Sequence, residues 1–245
     1  MIEHSPKLLD QVRGKIRLKH YSIRTEKSYI TWIKRYIVFH NKRHPGDMGV
    51  KEIEEYLTYL AEKRHVAAAT QNQAFNAILF LYNEVLDIQL DEKINSVRAK
   101  TRIRVPVVLT VDEAFQVLDL MEGTNKIIAQ FLYGSGLRIM EAVRLRVKDL
   151  DFNMEQVIVR NGKGNKDRIT MFPEELHIPV KEHLVKIRAK HEDDLKKGYG
   201  RVYMPNALYR KYPTGAAEWI WQYVFPSSRI STDPRSGNVG RHHVH

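Results

Sequence analysis

The feature that most limits what this chain can fold into is the spacing of its apolar residues in the N-terminal part. Tyr29, Ile33, Tyr36 and Ile37 recur at helical intervals, as do Ile53, Leu57 and Leu60, and then Phe75, Ile78, Leu79 and Tyr82. Each set draws one apolar stripe on one helix, and such stripes are buried by packing against each other. Ser22 supplies an N-cap for the first helix, which runs over 24–39 and is ended by Pro45 and Gly46. The second helix is predicted over 50–64 and the third over 68–86. Residues 1–97 therefore read as a small, all-helical domain.

The next stretch, 98–108, carries Arg98, Lys100, Arg102 and Arg104 without an acid and ends around Pro106. It reads as a basic linker, either an ordinary solvated connection or a segment that crosses a DNA backbone and releases counterions there. Thr110 and Glu113 have capping-box spacing, so a second domain is predicted over 109–245, opening with a helix whose inward residues are Ala114, Val117, Leu118 and Met121. A buried helix ends near Tyr133. Gly134-Ser135-Gly136 then breaks the pattern, and a further helix is expected over 137–146 with Arg138 at its start. Residues 156–160 and 168–172 read as two strands of a hairpin with a basic tip at 161–167, stopped by Pro173. A charged amphipathic helix follows over 180–197, and beyond Gly198 the composition shifts to Tyr, Pro and Trp. The fold class is mainly α, with a small antiparallel sheet in the second domain.

Charge narrows the partners. Lys and Arg number 40 against 29 Asp and Glu, a net +11 over 245 residues, which favours a polyanion. The excess is concentrated in 7–43, where eleven basic residues, Arg24 and Lys27 among them, face only Asp10 and Glu26. Tyr21, Tyr29, Trp32 and Tyr36 are interleaved with these charges, either to stack on bases or to fill the helical core. Cys is absent, which removes disulfides, thiolate metal sites and thiol nucleophiles. There is no signal-peptide core and no run of about 18 apolar residues, so a soluble, cytoplasmic protein is expected. His242, His243 and His245 come without acids, and no metal site is predicted there.

Two groups of residues suit phosphate chemistry. Arg138 and Glu141 lie three apart on one helical face, either as a structural ion pair or as a phosphate-binding fork beside a supporting carboxylate. Lys163 and Lys166 sit on the hairpin tip, where a Lys can reach a phosphate or a leaving oxygen or simply be solvated. The run 162–166 lacks the spacing and the following hydroxyl of an ATP-binding loop.

The runs Tyr133-Gly134-Ser135-Gly136-Leu137-Arg138-Ile139-Met140-Glu141 and Asn161-Gly162-Lys163-Gly164-Asn165-Lys166-Asp167-Arg168 resemble the tyrosine recombinases. The chain further resembles the integron integrases within that family, through Met204-Pro205-Asn206-Ala207-Leu208-Tyr209-Arg210-Lys211-Tyr212-Pro213 and Glu218-Trp219-Ile220-Trp221-Gln222-Tyr223-Val224-Phe225-Pro226. The resemblance implies a helical, SAM-like core-binding domain over 1–97 that grips DNA with residues such as Arg24 and Lys27. A linker over 98–108 would contribute Arg102 and Arg104. A mixed α/β catalytic domain would begin at 109 and carry an inserted helix within about 200–236. Arg138 and Lys163 are the implied catalytic residues, Glu141 the implied support, and Lys166, Trp219, His242 and His243 the implied DNA contacts. The implied reaction is transesterification without metal, ATP or other cofactor. A Tyr oxygen attacks the scissile phosphate and leaves a 3′-phosphotyrosyl link and a free 5′-hydroxyl.

The substrates implied are double-stranded attachment sites and folded single-stranded hairpins with extrahelical bases, bound by a homo-tetramer on two DNA partners at the bacterial nucleoid. The family's later His-x-x-Arg, second His and nucleophilic Tyr find no match before His245. The chain is accordingly expected to be part of a longer protein and, alone, to bind DNA without cutting it. Without the resemblance, a noncatalytic DNA-binding or architectural protein fits the same residues, and RNA binding is a third class that no specific motif favours.

Overall fold

The computed structural model describes residues 7–90, 99, 105–162, 164, 166–204, 206–233 and 237–244. They form two compact units, 1–106 and 107–245.

In the first unit α1 (Leu8–Leu18), α2 (Ile23–Phe39), α3 (Val50–Glu62) and α4 (Ala68–Phe80) form a bundle. The Ser22 hydroxyl accepts the Thr25 N–H and caps α2, as its position before the apolar stripe predicted. The last expected helix does reach Leu86, but its final turn, Leu81–Leu86, is π-helical and ends at Asp87 in the left-handed region, φ 54°. The α2 stripe meets α4 and α3 in a core of Ile16, Ile33, Tyr36, Ile53, Phe75 and Ile78. This decides between the two readings of the α2 aromatics. Trp32 and Tyr36 are buried, and Tyr29 packs partly against the core, because positions 29, 32, 33 and 36 share one helical face. Only Tyr21 of the four is largely exposed. The Tyr36 hydroxyl, 3.1 Å from that of Tyr82, gives the buried ring its polar partner.

In the second unit α5 (Val111–Leu120) opens on the expected capping box, with the Thr110 N–H donating to Glu113 at 2.8 Å and the Glu113 N–H to Thr110 Oγ1 at 3.3 Å. Of its expected inward residues, Ala114, Leu118 and Met121 are partly buried. Val117 is 48% exposed, and no α5 residue is fully buried. α6 (Gly123–Gly134) is followed by α7 (Ile139–Ala142), a single turn where a helix over 137–146 was expected. The reason is tertiary: the Leu145 carbonyl accepts the Val224 N–H at 2.8 Å, and Arg146 bridges to Tyr223, so this backbone pairs sideways and cannot continue a helix.

The sheet has the order β1 (Leu150–Asp151), β2 (Gln156–Val159), β3 (Arg168–Met171), all antiparallel, with Val157 opposite Thr170. α8 (His177–Lys196) packs on α6. α9 (Asn206–Lys211), two 3-10 turns and a short β4 (Ser231–Thr232) to β5 (Val239–Gly240) hairpin complete the unit. Its core joins Phe131, Val143, Val157, Phe172, Val180 and Phe225. The protein is thus mainly helical with a small antiparallel sheet. Among the described residues no helix is long and apolar enough to cross a membrane, and no group of three His or acidic side chains is placed to hold a metal ion.

Candidate active site

The site is built on the turn between α6 and α7. Gly136 has φ +61°, a conformation costly for other residues, and it turns the chain so that Arg138 becomes the N-cap of α7. Glu141 then stands in the first turn, where its Oε2 accepts the Arg138 backbone N–H at 2.9 Å and its Oε1 accepts Arg138 Nη1 at 2.9 Å. From β3, Arg168 completes the cluster, its Nη1 donating to Oε1 at 2.9 Å and its Nη2 to Oε2 at 2.7 Å. All four lone-pair positions of the carboxylate are therefore filled.

Glu141 is only 8% exposed, while Arg138 is 58% and Arg168 35%. Hydrogen bonds from Arg168 first, and then from Arg138, hold the Glu141 carboxyl down at about 2 against the opposing effect of burial. The cluster is two cations around one anion. Its excess positive charge sits on Arg138, whose Nε and Nη2 have no partner among the described residues. That edge of a guanidinium matches two oxygens of one phosphate.

The hairpin passes close over this cluster. A Cβ at Gly162 would lie 3.0 Å from the Lys166 carbonyl, 3.1 Å from Arg168 Nη1 and 3.2 Å from Glu141 Oε1, so a side chain there would have to push these neighbours aside by a few tenths of an ångström. The tip is held by Gly162 N–H to the Lys166 carbonyl at 3.0 Å and Asn161 N–H to Asp167 Oδ1 at 2.9 Å. Lys166 is exposed at the tip. Lys163 lies outside the described residues, as do Arg102 and Arg104 in the basic linker.

The segment after α8 is pinned to the unit by polar contacts that the sequence reading did not foresee. Arg241 pairs with buried Asp194 of α8, Nη2 to Oδ1 at 3.0 Å, and donates to the Ser228 carbonyl at 2.6 Å. Gln222 donates to the carbonyls of Ala216 and Glu218, both at 3.1 Å. Arg146 donates to the carbonyls of Trp221 and Tyr203 at 2.6 and 2.7 Å.

Trp219 lies on a 3-10 turn outside α9, half-buried, with the His191 ring at 6.0 Å and the Arg188 guanidinium at 5.9 Å. Trp221 has the Lys148 ammonium 3.1 Å from its ring centre. Burial first, and then Arg160 nearby, lower the Lys148 pKa to about 8. The two imidazoles expected to contact DNA differ. His242 is half-buried, whereas His243 is 2% exposed, packed against Tyr223 and with Nδ1 2.6 Å from the Val244 carbonyl. In this structure His243 has no surface from which to meet a base, because the bridge from Pro226 to its backbone draws it into the core side of the unit.

In the first unit Arg24 and Lys27 are exposed on the N-terminal half of α2. Arg24 lines a polar groove between α2 and α4 with Ser28, Thr70, Asn72, Gln73 and Asn76. Ala99, from the predicted linker, is held on α4 by two bonds with the Asn72 side chain at 3.0 and 3.1 Å.

Comparison with known proteins gives these groups a common context. Residues 8–92 match the model for the phage integrase N-terminal SAM-like domain, and residues 107–237 that for the phage integrase family. Proteins described as integrase/recombinase from Escherichia coli and Pseudomonas aeruginosa are each 46% identical over 241 residues, covering 98% of this chain and 72% of theirs. The fold is similar to that of the Tn1549 transposon integrase solved with transposon right-end DNA, with a TM-score of 0.57 at 17% identity over 90% of this chain and 71% of that one. It is also similar to XerH site-specific recombinase bound to difH substrate, TM-score 0.51 at 15% identity over 88% of this chain and 70% of that one. With both domain models matched in order, the chain belongs to the phage-integrase family of tyrosine recombinases, whose function is site-specific DNA recombination.

Proposed function

We propose that Arg138 binds the scissile phosphate of a DNA strand and stabilises the charge that develops on its nonbridging oxygens during transesterification. The observation that carries this is the open Nε and Nη2 edge of Arg138 beside a Glu141 carboxylate whose own acceptors are all engaged. Donors fixed in advance of the reaction act most strongly where negative charge appears. Lys163 protonates the departing 5′-oxygen. Lys166 supplies a charge to the backbone, as do Arg24, Lys27, Arg102 and Arg104. The nucleophile is a Tyr outside the motifs matched here, the 3′-phosphotyrosyl link conserves the energy of the phosphodiester, and no cofactor is needed. Strands exchanged in pairs call for four protomers on two DNA partners, assembled in the cytoplasm on the nucleoid. A noncatalytic DNA-binding role is the alternative reading of the same surfaces.

The integron-integrase reading deepens this. A folded single-stranded site with extrahelical bases offers unstacked rings, and Trp219 is half-buried with one cation and one imidazole near its ring, an arrangement able to receive a base. His242 is the imidazole with surface available beside Tyr223. Two measurements test the proposal. Arg138→Ala should weaken binding to duplex DNA roughly eightfold at 0.1 M salt, the worth of about one phosphate contact, and unchanged affinity would refute phosphate binding. Trp219→Ala should weaken binding to a bulged hairpin by roughly 1–3 kcal/mol and leave a perfectly paired one unaffected. Equal losses on both would instead assign Trp219 to packing.

A further inference from the structure

Glu141 stands between two guanidiniums that use it differently. Arg168 meets it fork to fork, through Nη1 and Nη2 at 2.9 and 2.7 Å. Arg138 meets it by side chain through Nη1 alone, at 2.9 Å. The two share Oε1, and the Arg138 backbone N–H takes the remaining position on Oε2. An isolated carboxylate three residues along a helix turn from an Arg would be free to engage two guanidinium nitrogens, since bidentate pairing is the stronger arrangement. Here the second position is occupied by a residue 27 positions away in sequence.

We propose that Arg168 is a positioning residue for Arg138: by filling Glu141 fork to fork it keeps the Arg138 guanidinium on a single bond, with Nε and Nη2 turned to an anionic oxygen pair. This rests on the reading of Arg138 as a phosphate ligand. Without Arg168, one site on each Glu141 oxygen is vacated. Arg138 Nη2 then closes onto Oε2, and the phosphate has to compete with an intramolecular carboxylate for the fork. Gly162 lies beside the same pair, where a Cβ would come within 3.1 Å of Arg168 Nη1 and 3.2 Å of Glu141 Oε1, so a side chain there would press on both groups. A Lys at 168 would keep the charge and lose the fork.

The test is the affinity of the full chain and its variants for one fixed DNA duplex at several KCl concentrations, with near-UV circular dichroism confirming that each is folded. Arg138→Ala should reduce the log–log salt slope by about 0.9 and weaken binding roughly eightfold at 0.1 M salt. Arg168→Ala should do the same, and combining the two should add nothing further. The decisive variant is Arg168→Ala with Glu141→Gln, which removes the anion that would capture Arg138 and should return affinity to within about twofold of the starting protein. Should Arg168→Ala fail to fold, Arg168→Lys takes its place, with an intermediate loss and the same rescue by Glu141→Gln.

Three results overturn the inference. If Arg138→Ala binds normally, the phosphate reading falls and this one with it. If Arg138→Ala is weak and Arg168→Ala is normal, only the positioning role falls. If Arg168→Ala is weak and Glu141→Gln does not restore it, Arg168 is itself a phosphate ligand or merely a structural prop.

Discussion

Replacing Asp194 by Asn probes the anchor that holds the segment after α8. The Asp194 side chain is 6% exposed and that of its partner Arg241 17%, so the exchange leaves a largely desolvated guanidinium facing an amide in place of a carboxylate. Removing one partner of a buried pair costs about 3–5 kcal/mol. The lower end applies here, because Arg241 Nη1 keeps its bonds to the Ser227 and Ser228 carbonyls. For a unit spanning 107–245, an unfolding entropy of about 0.3 kcal/mol/K turns a loss of ~3 kcal/mol into a drop in Tm of about 10 °C. Tryptophan fluorescence isolates the effect: of the three Trp residues, Trp219 and Trp221 report on this unit, and a Trp32→Phe background silences the other. The hydrophobic double replacement Asp194→Leu with Arg241→Met should recover much of the loss, since it leaves no buried charge unpaired. A drop below about 1 kcal/mol for the single variant, or a double variant no better than the single, would refute the reasoning that burial makes this pair matter.

Three further outcomes are expected. Glu141 should titrate at about 2 in a carboxylate NMR experiment; its folded pKa lies below the unfolded one, so its contribution to stability is complete above the usual carboxylate range and is lost as pH falls towards 2. Lys148 should lose its proton near pH 8; here the depressed pKa belongs to a cation, so its charge destabilises the fold at neutral pH, and stability should rise between about pH 8 and 10.5, the lysine value from which it is displaced, as urea unfolding at a series of pH values would show. Tyr36→Phe should destabilise the first unit by about 1–2 kcal/mol in denaturant unfolding, because it strands the Tyr82 hydroxyl in the core.

What was legible in the sequence was local. Ser22 and Thr110 cap the helices their positions announced, and the stripe through Ile33 and Tyr36 is the face that α2 buries, because capping and helical periodicity act within a few residues. The site was half legible for the same reason. Arg138 and Glu141 are one turn apart and do pair, whereas Arg168, which stands in the same hairpin run as Lys163 and Lys166, drew no role until β3 placed it against Glu141. The pairing of Asp194 with Arg241 spans 47 positions, and no local pattern announces it. Val117 shows the opposite failure: its spacing fits an inward position, yet burial depends on a neighbour being present, and α5 leaves it exposed. His243 was expected to meet DNA only because the family resemblance implied it, but the pairing of its backbone with Pro226 turns it inward.

The Gln222 amide and the Arg241 guanidinium between them tie the carbonyls of Gly200, Ala216, Glu218, Ser227 and Ser228. A loop of this extent would ordinarily sample many shapes and surrender them when a ligand arrived, at about 0.5–1.5 kcal/mol for each side chain immobilised. Here those degrees of freedom are given up while the chain folds. A ligand meeting the face that bears Trp219 would dock on a surface already in shape, so its association should be limited by diffusion and orientation, with little added for rearrangement, and little of its binding energy would be spent on ordering the protein.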